Sequence, residues 1–282
     1  MSSGSLGGPA LTATWPQKQQ PRIRPVNDNR AGTMLREWRQ RRRLSQLDLA
    51  LDAGVSSRHL SFVETGRSRP SPEMVLTLAQ RLEVPLRERN RLLLAAGHAP
   101  RYEERAFEAP ELQPVRDAVG RLLAGHEPYP ALAVDTTWNL IASNGALGLL
   151  LEDIDDELLV PPVNVMRLAL HPNGVAPRIL NLGEWRGHLL ARLRRESALR
   201  GDPRLDELLA EVAAYPGEDQ PARSGTEIMV TLRLASSAGE LTLFSTVTTF
   251  GTAADITVAE LSIEAFFPAD EATGEALRTA AG

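Results

Sequence analysis

The stretch Leu44-Ser45-Gln46-Leu47-Asp48-Leu49-Ala50-Leu51-Asp52-Ala53-Gly54-Val55-Ser56-Ser57-Arg58-His59-Leu60-Ser61-Phe62-Val63 decides the fold of the front of this chain. Two short helices joined by a tight turn make three steric demands. A small residue must sit where the helices cross, a glycine must accept positive φ in the turn, and apolar residues must seat the second helix. Counted from Gln46, Ala50 stands at the crossing, Gly54 in the turn and Val55 directly after it. Leu60 and Val63 then fall on the buried face of the second helix. Ser45 and Ser56 precede the two helices, each offering a side-chain oxygen to free backbone N–H groups. The spacing is that of a helix-turn-helix.

Around this motif the pattern is helical from Thr33 to about Ala96, with turns at Arg43, Gly54, Thr65–Pro72 and Val84–Pro85. A helix-turn-helix lays its second helix in the DNA major groove, and helix N-termini attract phosphate. Gln46, Ser56 and Ser57 are therefore placed to grip the backbone. Arg58 and His59 project from the early turns of the second helix, where an arginine can bond guanine bidentately. His59 as a merely solvated side chain is an equally good reading. Arg67 and Arg69, in the following loop, are candidate phosphate contacts. Glu64 would repel DNA from this helix, so it is expected to pair with an arginine of the first helix, Arg39 or Arg42.

Charge divides the chain in two. Residues 1–106 hold 18 basic against 10 acidic side chains, a net of +8, and the remainder holds 13 against 26, a net of −13. A basic front meets a polyanion, and an acidic back is repelled by it. The 282 residues suit two domains. With no cysteine, disulfide scaffolds, zinc–thiolate sites and thiol nucleophiles are excluded. The longest apolar candidates for a span, Trp138–Leu151 and Leu241–Ala254, are too short and too polar to cross a membrane, and the N-terminus lacks the basic region and apolar core of a secretory signal. A cytoplasmic protein is expected.

Residues 1–31, rich in Gly, Ser, Pro, Gln and Asn, read as a disordered tail, 32–97 as the DNA-binding domain, and 98–111 as a linker. From 112 to 277 the pattern is mixed. Leu112–Leu123 is amphipathic, and Ala131–Asp135 and Trp138–Asn144 read as strands. Helices follow at Glu184–Leu199 and Leu205–Tyr215. Ile228, Val230, Leu232 and Leu234 alternate with Met229, Thr231 and Arg233, Ser236–Gly239 is a turn, and Glu240–Phe250 is a strand. Thr257–Phe267 is a further strand candidate that would also allow a helix. Together these give an α+β domain with an antiparallel sheet. Trp138, Trp185, Phe244 and Phe250 are candidates to line a ligand cavity, or else plain core. The histidines form no metal spacing, and Walker, dinucleotide-binding and nucleophile-elbow motifs are absent, so neither a cofactor nor an enzymatic activity is expected.

Two resemblances sharpen this reading. Leu44–Ala50, Gly54-Val55-Ser56, Glu64-Thr65-Gly66-Arg67 and Arg69-Pro70-Ser71 resemble the xenobiotic-response-element, lambda-repressor-like helix-turn-helix regulators over residues 33–97. The resemblance implies a five-helix domain that reads DNA with positions matching Gln46, Ser56, Ser57, Arg58 and His59. Repressors of that class that inactivate themselves use a serine–lysine dyad, whereas the sole lysine here is Lys18, in the tail. Pro130–Asp135, Trp138–Asn144, Asn164–Arg167, His171-Pro172, Glu184-Trp185 and the C-terminal strands resemble MmyB-like transcription regulators over residues 108–277. That implies a PAS-like ligand-binding domain and a small, largely apolar effector, with fatty acids or acyl compounds the indicated class.

The expectation is a multidomain chain, an all-α five-helix lambda-repressor-like domain followed by an α+β PAS-like domain. It would bind double-stranded DNA as a homodimer on an approximately palindromic operator and respond to an apolar ligand. Two rivals stand beside it: a constitutive DNA-binding protein whose second domain only dimerises or recruits a partner, and an enzyme carrying a regulatory DNA-binding domain.

Overall fold

A computed structural model describes residues 29–218 and 230–281. Most of the proposed tail, and Ile228 and Met229 of the expected alternating strand, lie outside the described residues.

Five helices make the first domain: α1 (Arg30–Arg41), α2 (Gln46–Asp52), α3 (Ser57–Glu64), α4 (Pro72–Arg81) and α5 (Leu86–Ala95). Three begin at a serine whose hydroxyl accepts a backbone N–H. Ser45 accepts from Asp48, Ser56 from His59 and Ser71 from Met74. The Asp48 carboxylate accepts the Ser45 N–H in return, closing a capping box at the start of α2. Gly54 has φ +68° in the turn, as the motif requires. Leu35, Leu49, Leu60, Leu78 and Leu92 are fully buried in one core. The first helix starts at Arg30, inside the stretch read as tail. Gly32 is glycine because α1 there crosses the backbone of Val63 and Glu64, which a Cβ would strike, and Ala31 beside it is buried.

The second domain contains α6 (Gln113–Ala124), β1 (Ala131–Val134), β2 (Leu140–Ser143), α7 (Val165–Leu170), α8 (Leu182–Arg200), α9 (Pro203–Ala213), β3 (Leu232–Ser236), β4 (Gly239–Thr249), α10 (Ile256–Ala259), β5 (Ser262–Pro268) and α11 (Glu271–Ala280). The strands form one antiparallel sheet in the order β2-β1-β5-β4-β3. Alternation sorts its side chains by face. Leu132, Val134 and Phe266 join the large core under α7–α9, while Ala131, Ala133 and Ile263 face Val119 and Leu123 of α6.

Several details differ from the sequence reading. The alternating strand starts at Leu232, with Val230 and Thr231 before it, and runs through Ser236 into the expected turn, and α7 was not anticipated. Residues 257–267 divide into α10 and β5. Trp138 sits in the turn between β1 and β2 and not in a strand, with φ +67°. Finally, α11 packs against β4 and β5 and buries Leu277 in the large core, where no helix was expected.

The segment 98–111 is strapped down on both sides. Asn90 of α5 donates to the Tyr102 carbonyl and accepts from the N–H groups of Arg101 and Tyr102. Beyond it, the Glu103 carbonyl accepts the Ile256 N–H, the Arg105 carbonyl accepts the Thr257 hydroxyl, and Arg105 pairs with Asp255 at 2.8 Å.

Candidate functional site

The exposed face of α3 carries Ser57, Arg58 and His59, with Ser56 at its cap. Arg58 and Arg67 both lie over the ring of Phe62, at 5.4 Å and 5.8 Å from its centroid. Phe62 thus holds two cations at the edge of the exposed face through cation–π attraction. Sequence reasoning missed it, although its i,i+4 spacing from Arg58 was a visible signal.

Two of the other DNA-contact candidates have intramolecular partners. The Gln46 amide donates to Glu64 Oε2 at 2.7 Å, and Arg69 Nε donates to the Ala96 carbonyl at 2.8 Å. Glu64 is paired with Arg39, the first of the two expected partners. Arg39 Nε meets Oε1 at 2.7 Å and Nη2 meets Oε2 at 2.9 Å. Burial pushes the Glu64 carboxyl up, but the bonds from Arg39 and Gln46 outweigh it and hold the carboxyl below its ordinary range. Arg42 turns elsewhere, donating to the carbonyls of Leu82 and Glu83.

A cavity of about 80 Å³ lies in the second domain, between the sheet and α7–α8. Trp138 and Trp185 both line it, with Leu147, Met166, Phe266 and Glu264 among their neighbours. Phe244 and Phe250 do not. Phe244 alternates out of phase with the buried Leu241 and Leu243 and stacks on Phe267 at 5.4 Å, while Phe250 packs in the cluster under α6. Positive φ is rare for a bulky residue and costs about 1–3 kcal/mol. The loop around Trp138 fixes it. Asp135 accepts from the N–H groups of Thr137 and Asn139, the Asn164 amide donates to the Thr137 carbonyl, and the Val165 N–H donates to the Trp138 carbonyl. Among the described residues, no group of three or more His, Asp or Glu side chains is placed to hold a metal ion, and no helix is long and apolar enough to cross a membrane.

The two domains meet at a charged seam. Arg87 of α5 forks onto Glu260, just before β5, at 2.9 Å and 2.8 Å, and also donates to Glu104 at 2.7 Å. These carboxylates raise the Arg87 pKa above its ordinary value. Nearby, Arg41 of α1 lies against Gly201, the left-handed residue that ends α8. Arg87→Ala is expected to loosen this seam and expose Arg101 and Arg105 to trypsin, so that limited proteolysis cuts the 98–111 segment faster than in wild type. The pair is only part-buried, so thermal unfolding should shift by no more than about 1 kcal/mol.

Comparison with known proteins follows the same division. Residues 35–89 match a helix-turn-helix family. The uncharacterized HTH-type transcriptional regulator RghRB of Bacillus subtilis is 40% identical over 81 residues, which is 28% of this chain and 56% of that relative. Among solved structures, the clp gene regulator ClgR of Corynebacterium glutamicum is 23% identical over 37% of this chain and 97% of its own, with a TM-score of 0.23. Residues 115–280, more than half of the chain, match the family described as MmyB-like transcription regulator ligand binding domain. The chain is a transcription regulator with a DNA-binding helix-turn-helix and a ligand-binding domain, and belongs to the MmyB-like family.

Proposed function

We propose that the protein binds an approximately palindromic operator as a homodimer and changes its grip when a small apolar effector fills the cavity. Arg58 and His59 read base edges in the major groove, and Ser56, Ser57 and Arg67 hold phosphates. Gln46 and Arg69 add backbone contacts from the positions that Glu64 and Ala96 fix. Such work on DNA calls for the cytoplasm.

One observation carries the regulatory half. Both α8 and β5 wall the cavity, and both end at the seam with the first domain, α8 at Gly201 under Arg41 and β5 beside Glu260 on Arg87. A ligand that binds two arrangements of these elements unequally shifts the DNA-binding domain with them. Cavity size bears on the effector. Roughly 150 Å³ of core cavity holds a benzene ring, about twice the volume here, so even a compound of four to six carbons enters only as the walls open, and a long fatty acid needs them to open much further.

Binding-site selection with the full chain should return two-fold symmetric sites with half-sites about one helical turn, or a multiple of it, apart. Operator affinity is then measured against alcohols, amides and acids of about four to six carbons. At least one should change it by about 5- to 150-fold, the usual range of allosteric coupling. The response should vanish in Ala169→Leu, which adds bulk to the cavity wall. Unchanged affinity with every compound, together with an empty protein in native mass spectrometry, favours a constitutive regulator.

A further inference from the structure

We infer that the cavity selects a ligand whose polar end is a neutral hydrogen-bond donor, an alcohol or a primary amide, and rejects a free carboxylate, with Glu264 making the choice. This rests on the effector reading above and narrows its ligand class.

The cavity walls are aliphatic and aromatic except where Glu264 reaches them from β5, its side chain 7% exposed. A carboxylate in such a wall is costly unless it is partnered. Arg192 of α8 supplies one bond, Nη1 to Glu264 Oε1 at 3.1 Å. The same guanidinium donates from Nε to Glu196 Oε1 at 3.3 Å and lies 4.3 Å over the Trp138 ring. Glu196 Oε2 accepts the Trp138 indole N–H at 3.1 Å. One cation is therefore shared by two carboxylates, and the cluster carries a net negative charge. His188, one turn before Arg192, stacks on Trp185 at 5.5 Å. Burial above all, then the guanidinia of Arg192 and Arg195, hold its imidazole below the ordinary range, so at neutral pH it adds no positive charge. Arg194 and Arg195 themselves are solvent-exposed.

Each type of polar end meets this cluster differently. A carboxylate would be stripped of water and pressed against a like charge at low dielectric. An ammonium would lose its hydration to an apolar wall and stand beside Arg192. A hydroxyl or carboxamide moves no charge into the cavity and donates to a carboxylate, which offers about four acceptor sites. Donation to a charged acceptor is the stronger kind of hydrogen bond.

The test uses the full-length chain labelled with 15N-tryptophan. The indole N–H groups of Trp138 and Trp185 report directly from the cavity wall, and Trp→Phe variants assign them. Four probes of equal chain length are titrated: 1-butanol, butyramide, butylammonium and butyrate. Butanol and butyramide are expected to shift both indole resonances saturably, and butyrate and butylammonium each to bind at least about tenfold more weakly; butylammonium binding as tightly as butyramide overturns the preference for a neutral end. In Glu264→Gln, which keeps the volume and removes the charge, the gap between butyrate and butyramide should close. Glu264→Met provides a second variant should the first fail to fold, as judged by thermal unfolding. Butyrate binding as tightly as butyramide to wild type, or an unchanged gap in a folded variant, overturns the assignment of Glu264 and leaves the cavity standing. Failure of all four probes to move either indole overturns the cavity as an effector site, and this selectivity with it.

Discussion

Glu64→Ala is expected to destabilise the DNA-binding domain by about 3–5 kcal/mol, the usual cost of removing one partner from a buried ion pair. The Glu64 side chain is 1% exposed and that of Arg39 10%, so water cannot replace the lost bonds. Arg39 would keep only its bond to the Leu44 carbonyl, and the Gln46 amide would lose its acceptor. These groups join the motif to the first helix. Glu64 ends α3, Arg39 lies on α1, and Leu44 and Gln46 flank the start of α2, so the carboxylate ties three helices at one point. Denaturant unfolding at neutral pH measures the loss. Arg39→Met with Glu64→Leu, which removes both charges, should recover most of it, because no buried charge is then orphaned. The pH dependence has a definite sign. The folded carboxyl titrates below its unfolded value, so its contribution is complete above the unfolded pKa and disappears as the pH falls through the folded one. Wild type should therefore lose stability on acidification below the ordinary carboxylate range, and the double variant should lose less.

Much of this arrangement was legible beforehand, because the first domain is built from local rules. A serine before each helix, a glycine in the turn and apolar residues every three or four positions specify α2–α4 without knowledge of the rest. Even the ion pair was readable, since an acidic residue on a DNA-facing helix of a basic domain calls for a partner on the first helix. The partners of Gln46 and Arg69 were not legible. One depends on where the end of α3 meets the start of α2, and the other on where the α3–α4 loop meets α5. In the second domain, strand existence followed from alternation, but strand order did not. Phe244 illustrates what was overlooked. Its parity opposes that of Leu241 and Leu243, which places it on the face away from the cavity. Glu264 shows the opposite limit. Within Ser-Ile-Glu-Ala-Phe-Phe it reads as an ordinary polar strand residue, and only the packing of α8 against the sheet puts it in the cavity wall beside Arg192. The helix α11 escaped notice because its sequence is Ala-, Gly- and Thr-rich, with Leu277 the one large apolar residue it buries.

Arg58→Ala with His59→Ala is expected to cost about 1–3 kcal/mol per lost base contact in each half-site, and to flatten base preference at the corresponding operator positions. The fold should survive, since both side chains are exposed and the hydrogen bond that caps α3 uses the His59 backbone N–H, which alanine retains. Phe62 partly orders Arg58, so if Arg58 reads the groove as proposed it loses less freedom on binding than a solvated arginine would. Phe62→Leu should accordingly weaken operator binding by a smaller amount with little change in sequence preference. Arg67→Ala separates position from readout. If it holds a phosphate as proposed, affinity should fall by a similar factor on all duplexes, and the slope of log K against log salt should shrink by about one per protomer. These signatures are read by comparing the operator with scrambled duplexes across a salt series. If the double variant keeps both affinity and base preference, α3 is not the reading element, and recognition must be sought on another exposed basic surface of the first domain. If it loses affinity equally on every sequence, Arg58 and His59 hold the backbone, and the base contacts fall to Gln46 and Ser57 at the starts of the two motif helices.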